Sequence, residues 1–349
     1  MPALRQKLSK VNDYPAFLES CWQEHLASRA DDAPTVISTF AGAGGSSLGY
    51  SMAGFRELLA VEWDDNAVVT FKLNFPDVPV YHGDIAKLSV AEVLECTGLQ
   101  PGQLDVFDGS PPCQGFSTAG KRMIDDPRNS LFREYVRLLR GLQPKVLVME
   151  NVSGMVKGKM KLLFADILRE LKASGYQVSA RLLNAMYFGV PQSRERMIFI
   201  GVRSDLQVAP SHPQGWSVPI KLCDALSMPN CKLQIAPELT SAKINRWKET
   251  KRGDAHRERF STLRLHWQNV SPTILKTPGS GGHFHPDIAR LLDIDELQRI
   301  ASFPDSFRFK GDWMLAINRI GNSVPPLFMR SIAQHIRTEI LGNIPNETT

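Results

Sequence analysis

The sequence predicts an α/β fold, with a mostly parallel sheet covered on both faces and a smaller domain inserted late in the chain. Three observations carry this. Short β-rich runs alternate with helically spaced segments between Thr35 and Arg203. Each run delivers a glycine or a polar group at its far end, which is where open α/β sheets bind ligands. After Arg203 the texture changes, and prolines at 210, 213, 219, 229 and 237 leave little clear periodicity.

Taken in order, Thr35 to Thr39 is a β-rich run that breaks into Phe40-Ala41-Gly42-Ala43-Gly44-Gly45-Ser46-Ser47, and helical spacing then runs from Leu48 to Phe55. Leu58 to Glu62 is a second strand, followed by helical spacing from Ala67 to Asn74. Val78 to Tyr81 is a third, ending at Gly83-Asp84-Ile85. Leu104 to Phe107 runs into Asp108-Gly109-Ser110. Leu131 to Leu142 reads as a helix, Val146 to Met149 as a buried strand, Leu162 to Ser174 as a helix and Met197 to Val202 as a strand. Helical spacing returns at Ile294 to Ile300. Pro325 to Leu341 reads as a long helix with proline near its first turn. Residues 1–33 precede all of this and carry a helix-like apolar stretch around Phe17 to Leu26.

A chain of 349 residues, 43% hydrophobic and 22% charged, is long enough for one large domain and a smaller one. No stretch approaches the ~20 apolar residues of a membrane span, and no apolar run resembles a signal sequence, so a soluble, intracellular protein is expected. Five cysteines, odd in number and without a CxxC pair, argue against a disulfide framework and against a zinc site. The net charge of +5 is compatible with a polyanionic partner without establishing one.

The chemistry concentrates at two strand ends. In Pro111-Pro112-Cys113-Gln114 each proline fixes its own φ and pushes the preceding residue toward extended geometry, so the thiol sits on a stiff mount. An isolated cysteine is more often a small buried hydrophobe. Here a second strand end supplies an acid, Glu150-Asn151-Val152, and the pair reads as nucleophile and proton donor. The glycine turn at 42–45 reads as a cofactor site. Glu62 follows Gly42 by the ~20 positions expected of a ribose-binding acid. The third glycine of GxGxxG falls on Ser47, an imperfect match to a dinucleotide site. Trp63 for stacking on adenine and Asp84 for its amine favour an adenosine without a pyrophosphate. In Gln192-Ser193-Arg194-Glu195-Arg196, alternation sends Gln192, Arg194 and Arg196 to one side, where a guanidinium could hold a base carbonyl. The segment Gln114 to Asn129 reads as a cover over the site, with Lys121 and Arg122 available to phosphates.

The ordered set FAGAGG at 40–45, Glu62-Trp63-Asp64, SPPCQGFS at 110–117, ENV at 150–152, QSRER at 192–196, ASFPDSF at 301–307 and GNSV at 321–324 resembles the prokaryotic C5-cytosine-specific DNA (cytosine-5) methyltransferase family. Gln298-Arg299-Ile300 stands where the family commonly has an arginine-leucine pairing and is the least faithful block. The resemblance implies a class I S-adenosylmethionine-dependent methyltransferase sheet, Rossmann-like, with a small target-recognition domain. It divides the chain into an N-terminal extension (1–33), a catalytic and cofactor-binding domain (34–203), a recognition domain (204–292) and a C-terminal segment returning to the catalytic domain (293–349). It implies Cys113 as nucleophile, Glu150 as the acid at the base and Arg194 as a further base contact. Phe40, Gly42, Gly44, Gly45, Glu62, Trp63, Asp84, Ile85, Pro112 and Leu131 would form the pocket for S-adenosylmethionine. Asn322 and Ser323 would close over its methionine end.

Double-stranded DNA is the implied partner, read in the cytoplasm at the nucleoid by a monomer. A cognate restriction endonuclease or another defence component would complete the system. Ser117, Lys121, Arg122, Gln192, Arg196, Lys243, Arg246, Lys251, Arg252, Arg257 and Arg259 are the expected DNA contacts, whereas Trp247, Trp267 and His266 are expected in the core of the small domain. Gly279-Ser280-Gly281-Gly282 reads as a close-approach turn. A tRNA cytosine-5 methyltransferase could use the same catalytic set. A catalytically silent DNA-binding module is disfavoured by the intact cysteine, glutamate and arginine.

Overall fold

The computed structural model describes residues 13–112, 130–156, 160–226, 236–256, 259–276 and 283–345. In chain order the elements are helix α1 (Tyr14–Leu26), β1 (Thr35–Thr39), α2 (Gly45–Met52), β2 (Arg56–Glu62), α3 (Asp65–Asn74), β3 (Val80–His82), α4 (Val90–Thr97), β4 (Val106–Gly109), α5 (Ser130–Leu142), β5 (Val146–Val152), α6 (Met160–Ala173), β6 (Tyr176–Asn184) and β7 (Glu195–Arg203). Then come α7 (Leu222–Ala225), α8 (Ser241–Glu249), β8 (Ala255–His256), β9 (Arg259–Leu263), α9 (Ile294–Ile300), α10 (Trp313–Asn322) and α11 (Pro326–His335).

Strands β1 to β7 form one sheet in the order β3-β2-β1-β4-β5-β7-β6, parallel except where β7 runs antiparallel to both neighbours. The order reverses between β1 and β4, so the crevice beyond their carboxyl ends is the binding position for such a sheet. Alternation divides the strands between two cores. Val36, Ala60, Val106 and Val148 face one core with α1, α2 and α11. Ile37, Leu59, Phe107 and Leu147 face the other with α4, α5 and α6. Burial of both faces accounts for the continuous apolar runs in the central strands.

Two strands run further than the apolar pattern suggests. In β5, Glu150, Asn151 and Val152 stay in the ladder because β7 pairs with them through Ile198, Met197 and Arg196. In β4, Asp108 and Gly109 pair with Ser38 and Thr39 of β1. Strand β6 was not expected from the sequence. It is the sheet edge, half-open to solvent, and therefore lacks an apolar run. Helix α4 likewise escapes the periodicity reading, although its capping box, Ser89 with Glu92, and its left-handed Gly98 mark both ends. The last helix is α-helical only to His335 and continues as a π turn over Ile336–Ile340.

The C-terminal segment folds back onto the sheet. A Cβ at Gly49 of α2 would lie 2.6 Å from Met329 Cβ and 2.7 Å from the Arg330 nitrogen, so glycine lets α2 and α11 meet backbone to backbone. Helix α1 then covers this layer. Tyr14, Phe17, Leu18 and Cys21 are buried, the Tyr14 hydroxyl donates to the Gly189 carbonyl (3.0 Å), and Glu24 pairs with the buried Arg330 (2.6 Å). Residues 14–26 are therefore part of the core rather than an appendage. Leu18→Ala is expected to cost about 2–5 kcal/mol, whereas Leu26→Ala, at a position 58% exposed, should stay within about 0.5 kcal/mol. Denaturant midpoints of the two variants check this, and equal effects would contradict the placement of α1.

Candidate active site

The loop after β1 is shaped by backbone demands. Phe40 (φ 56°), Gly42 (φ 57°) and Gly44 (φ 96°) all lie in the left-handed region, which glycine enters without steric cost. Around Gly42 a Cβ would meet nothing within 4 Å, so the backbone there lies open to a ligand. At Gly45 the reverse holds, since a Cβ would sit 2.3 Å from the Val324 carbonyl oxygen and 3.0 Å from Ser323 Cβ. The GNSV segment at the end of α10 therefore lies directly on the glycine loop through Ser323 and Val324. Asn322 is exposed. Ser323 is half-buried and donates its hydroxyl to the Arg319 carbonyl (2.7 Å).

Glu62, at the end of β2, is buried and accepts three backbone N–H groups, from Gly42 (2.8 Å), Trp63 (2.9 Å) and Asp64 (2.9 Å). A carboxylate has about four acceptor positions, so capacity remains for a hydroxyl. Beside it Trp63 is 76% exposed, an unusual setting for so large an aromatic surface. Asp84 is exposed and uses one oxygen to cap the following turn through the Ala86 N–H (3.0 Å), with Ile85 buried next to it. Leu131 and Phe40 pack against the second core. An open glycine backbone, two carboxylates and a free indole face suit an adenosine.

Three segments meet at the ends of β4, β5 and β7. Asn151 is buried and donates to the Pro111 carbonyl (3.2 Å), which fixes the proline loop against the ENV strand end. Pro111 is buried and Pro112 exposed. Cys113, Ser117, Lys121 and Arg122 lie outside the described residues, as do Arg257, the turn at 279–282 and the side chain of Arg259. Glu150 is paired with Arg196, Nε to Oε1 at 2.5 Å, both side chains largely buried. Arg196 was expected on DNA. The ladder opposes Val152 to Arg196 and so carries that guanidinium to the acid instead.

Arg194 is only 3% exposed and donates to the carbonyls of Gly321 (3.0 Å) and Ile274 (3.4 Å), while its Nε is buried without a partner among the described residues. Burial, with Arg196 adding to the effect and Glu150 opposing it, lowers its pKa to about 9, which leaves it cationic at neutral pH. Gln192 is also drawn inward. It is 1% exposed, and its amide oxygen accepts from the Ile274 N–H (3.2 Å) rather than facing a DNA surface. The segment that receives both side chains, Ser271 to Ile274, was not singled out in the sequence. Ser193 N–H donates to the Ser271 carbonyl (2.8 Å) and the Thr273 hydroxyl to the Ser193 carbonyl (2.8 Å). Its only sequence signal is a short run, Ser271-Pro272-Thr273-Ile274-Leu275, with proline at its start.

In the intervening region Lys243 and Arg246 lie on α8, and Lys251 is exposed. Arg252 pairs with Asp287 and donates to the Pro286 carbonyl (3.3 Å). Trp247 and Trp267 pack on the core, as expected. Arg264 lies 3.8 Å over the Trp247 ring, and Trp267 donates to Asp287 (2.8 Å). At the least faithful motif, Arg299 pairs with Asp305 (2.5 Å) and Gln298 donates to the Phe307 carbonyl (2.9 Å), so both side chains brace the FPDSF turn.

A sheet of order 3-2-1-4-5-7-6 with an open glycine loop, an acid after β2 and a buried acid and arginine pair on β5 and β7 defines a class I methyltransferase. The family profile described as C-5 cytosine-specific DNA methylase matches residues 34–338. The chain is 34% identical over 322 residues to the Type II methyltransferase M1.HphI of Haemophilus parahaemolyticus, covering 86% of each. It is 31% identical to M.XorII of Xanthomonas oryzae, over 87% of this chain and 84% of that one. Among solved structures, a DNA modification methyltransferase encoded within an E. coli prophage superposes with a TM-score of 0.77 at 24% identity, over 88% of this chain and 100% of that one. The DNMT2 of Spodoptera frugiperda superposes at 0.64 and 19%, over 87% and 99%. The chain belongs to the C-5 cytosine-specific DNA methylases, S-adenosylmethionine-dependent enzymes, and is a DNA (cytosine-5-)-methyltransferase.

The contact of Gly45 with Val324 makes a direct prediction. Gly45→Ala places a methyl against a backbone carbonyl that has no rotamer to change, and should cost about 1–3 kcal/mol. Thermal unfolding measures it, and an unchanged midpoint would mean that GNSV does not rest on the loop.

Proposed function

We propose that this enzyme methylates C5 of a cytosine flipped out of a specific duplex DNA sequence, through a covalent adduct between Cys113 and C6. The observation that carries the reading is the buried Arg194, whose Nε has no partner among the described residues, beside the Glu150–Arg196 pair and the Asn151-anchored proline loop that leads into Cys113. A buried donor without an acceptor costs about 1–3 kcal/mol, and the carbonyl of an incoming base would remove that cost.

Cytosine C5 is a poor nucleophile. Addition of the Cys113 thiolate to C6 turns the ring into an enamine whose C5 carries the electron pair needed for methylation. Glu150 donates to the ring at N3 and drains charge during the attack. S-adenosylmethionine supplies the methyl group as a sulfonium electrophile, held by Glu62, Trp63 and Asp84 at its adenosine and by Asn322 and Ser323 at its other end. After methylation the C5 proton leaves to water and the C5–H electrons expel the thiolate from C6. Because both ring atoms are shielded in a duplex, the base must leave the stack, which costs on the order of a few kcal/mol. Lys243, Arg246 and Lys251 supply phosphate contacts that offset this. The names of the relatives, Type II methyltransferases, support a modification enzyme, and a cognate restriction endonuclease and a cytoplasmic setting belong to the same proposal.

The test is transfer of labelled methyl to mixed-sequence duplex DNA and, in parallel, to tRNA, followed by mapping of 5-methylcytosine. Label is expected in DNA at one short motif and should vanish with Cys113→Ala. Label in tRNA alone would overturn the DNA reading, and label persisting in the variant would overturn the covalent route. Glu150→Gln should lower kcat by about 10²–10⁴-fold while leaving S-adenosylhomocysteine affinity unchanged. A parallel loss of cofactor affinity would place Glu150 in the other half of the site.

A further inference from the structure

Two acids that the reaction does not use lie beneath the cofactor loop. The β1–β2 register slips between Val36 and Ile37, pairing Val36 with Glu57 but Ile37 with Leu59. The extra residue, Leu58, turns the Glu57 side chain onto the same sheet face as Val36 and Ser38. Ser38 in turn pairs with Asp108 of β4, so Asp108 shares that face. Both acids therefore point under the first turns of α2, which carries Ser46, Ser47 and Tyr50 immediately after the glycine loop.

Asp108 is 2% exposed and accepts from the Tyr50 hydroxyl (3.3 Å), with Ser46 as a further hydrogen-bond partner. Glu57 accepts from the Ser47 hydroxyl (2.9 Å). Its other oxygen is sealed from solvent, with the Ser38 hydroxyl as its further hydrogen-bond partner. The titratable groups that face the pair are Tyr50 from α2, Tyr135 from α5 and Glu150 from β5, none of them cationic near neutral pH. Among the described residues no lysine, arginine or histidine is bonded to either acid. A carboxylate buried among hydroxyls with no cation beside it is costlier than a neutral carboxyl in the same place.

We propose that Glu57 and Asp108 are positioning residues that are carried as neutral carboxylic acids and hold the first turns of α2, and with them the cofactor loop, through Ser47 and Tyr50. The proposal rests on the reading of that loop as the S-adenosylmethionine site. Burial pushes Glu57 up to about 7 and Asp108 well above the usual carboxylate range, the latter with Glu57 adding to the effect. The sign follows from linkage. With a raised folded pKa the native state holds the proton more tightly than the unfolded chain, so the contribution of Glu57 is complete below pH ~4 and is lost as pH rises to about 7. Over that interval the buried charge is relieved by opening the Ser47 contact to water. The closed loop then becomes a minor population, and cofactor affinity falls with it.

The experiment is S-adenosylhomocysteine titration of the full-length enzyme between pH 5 and 8, with an infrared spectrum of the ligand-free protein at pH 6. Wild-type affinity should drop by up to about tenfold per pH unit as pH rises toward 7 and level off above it. Glu57→Gln, neutral and of the same shape, should bind as tightly as wild type at pH 5 and lose less than about twofold by pH 8. Asp108→Asn should bind at pH 6 as well. The spectrum should show protonated-carboxyl bands that each substitution diminishes. A flat wild-type profile, a Glu57→Gln profile falling like wild type, or bands indifferent to both substitutions would overturn the pair while leaving the cofactor site intact. Absence of binding at every pH would overturn the cofactor reading and the positioning role with it.

Discussion

The site depends on one buried cation. Arg194 precedes β7, yet its guanidinium binds carbonyls of Ile274 and Gly321, separated from it by 80 and 127 positions along the chain. Burying that charge is costly unless its donors are met, and removing the acceptors of a buried charge typically costs about 3–5 kcal/mol. The same requirement that protects the cation holds three distant segments in register. The Ser271–Ile274 strip is fixed to the QSR turn, and Gly321 is fixed at the end of α10. From there Ser323 and Val324 reach the glycine loop. The cofactor half and the base half of the site thus share a joint.

What was legible in the sequence follows from this division. The central strands and the glycine turn are local signals. A fully buried β1 and a loop with three left-handed positions leave unmistakable residue patterns, and Glu62 and Trp63 follow from strand spacing. The edge strand β6 was illegible because half its surface meets water, so no apolar alternation is required of it. The fates of Gln192 and Arg196 were illegible for another reason. Polar residues in an RxR context are ordinarily solvated, and only pairing of β5 with β7 and docking of a remote strip decide that both turn inward. Helix α1 lay between the two cases, visible as a helix but not as core, since its partner Arg330 is supplied by α11.

Glycine marks where chain segments must touch. Gly45, Gly49 and Gly321 each bring backbone against backbone, of Val324, of Arg330 and of Lys276 respectively. These three contacts lie along the path from α2 through α10 and α11. The returning C-terminal segment is therefore packed too closely to slide, and side-chain changes on its surface have little leverage on the cofactor loop. Leverage lies beneath the loop, where hydroxyls of α2 meet carboxyl groups of the sheet.

The Glu150–Arg196 pair decides how the base half can work. At 2.5 Å, with both side chains largely shielded, the pair is already satisfied before any substrate arrives. Entry of a base that takes a hydrogen bond from Glu150 must therefore weaken one charged contact to make another, and the exchange is tolerable only if Arg196 keeps an acceptor. The second carboxylate oxygen of Glu150 offers one, because a carboxylate accepts at both oxygens. Arg194, by contrast, has Nε in reserve and gives up nothing when a carbonyl arrives. The two arginines, two positions apart, are thus unequal. One is engaged with the acid, while the other holds a donor without a partner among the described residues, which in the proposed mechanism the flipped base would meet.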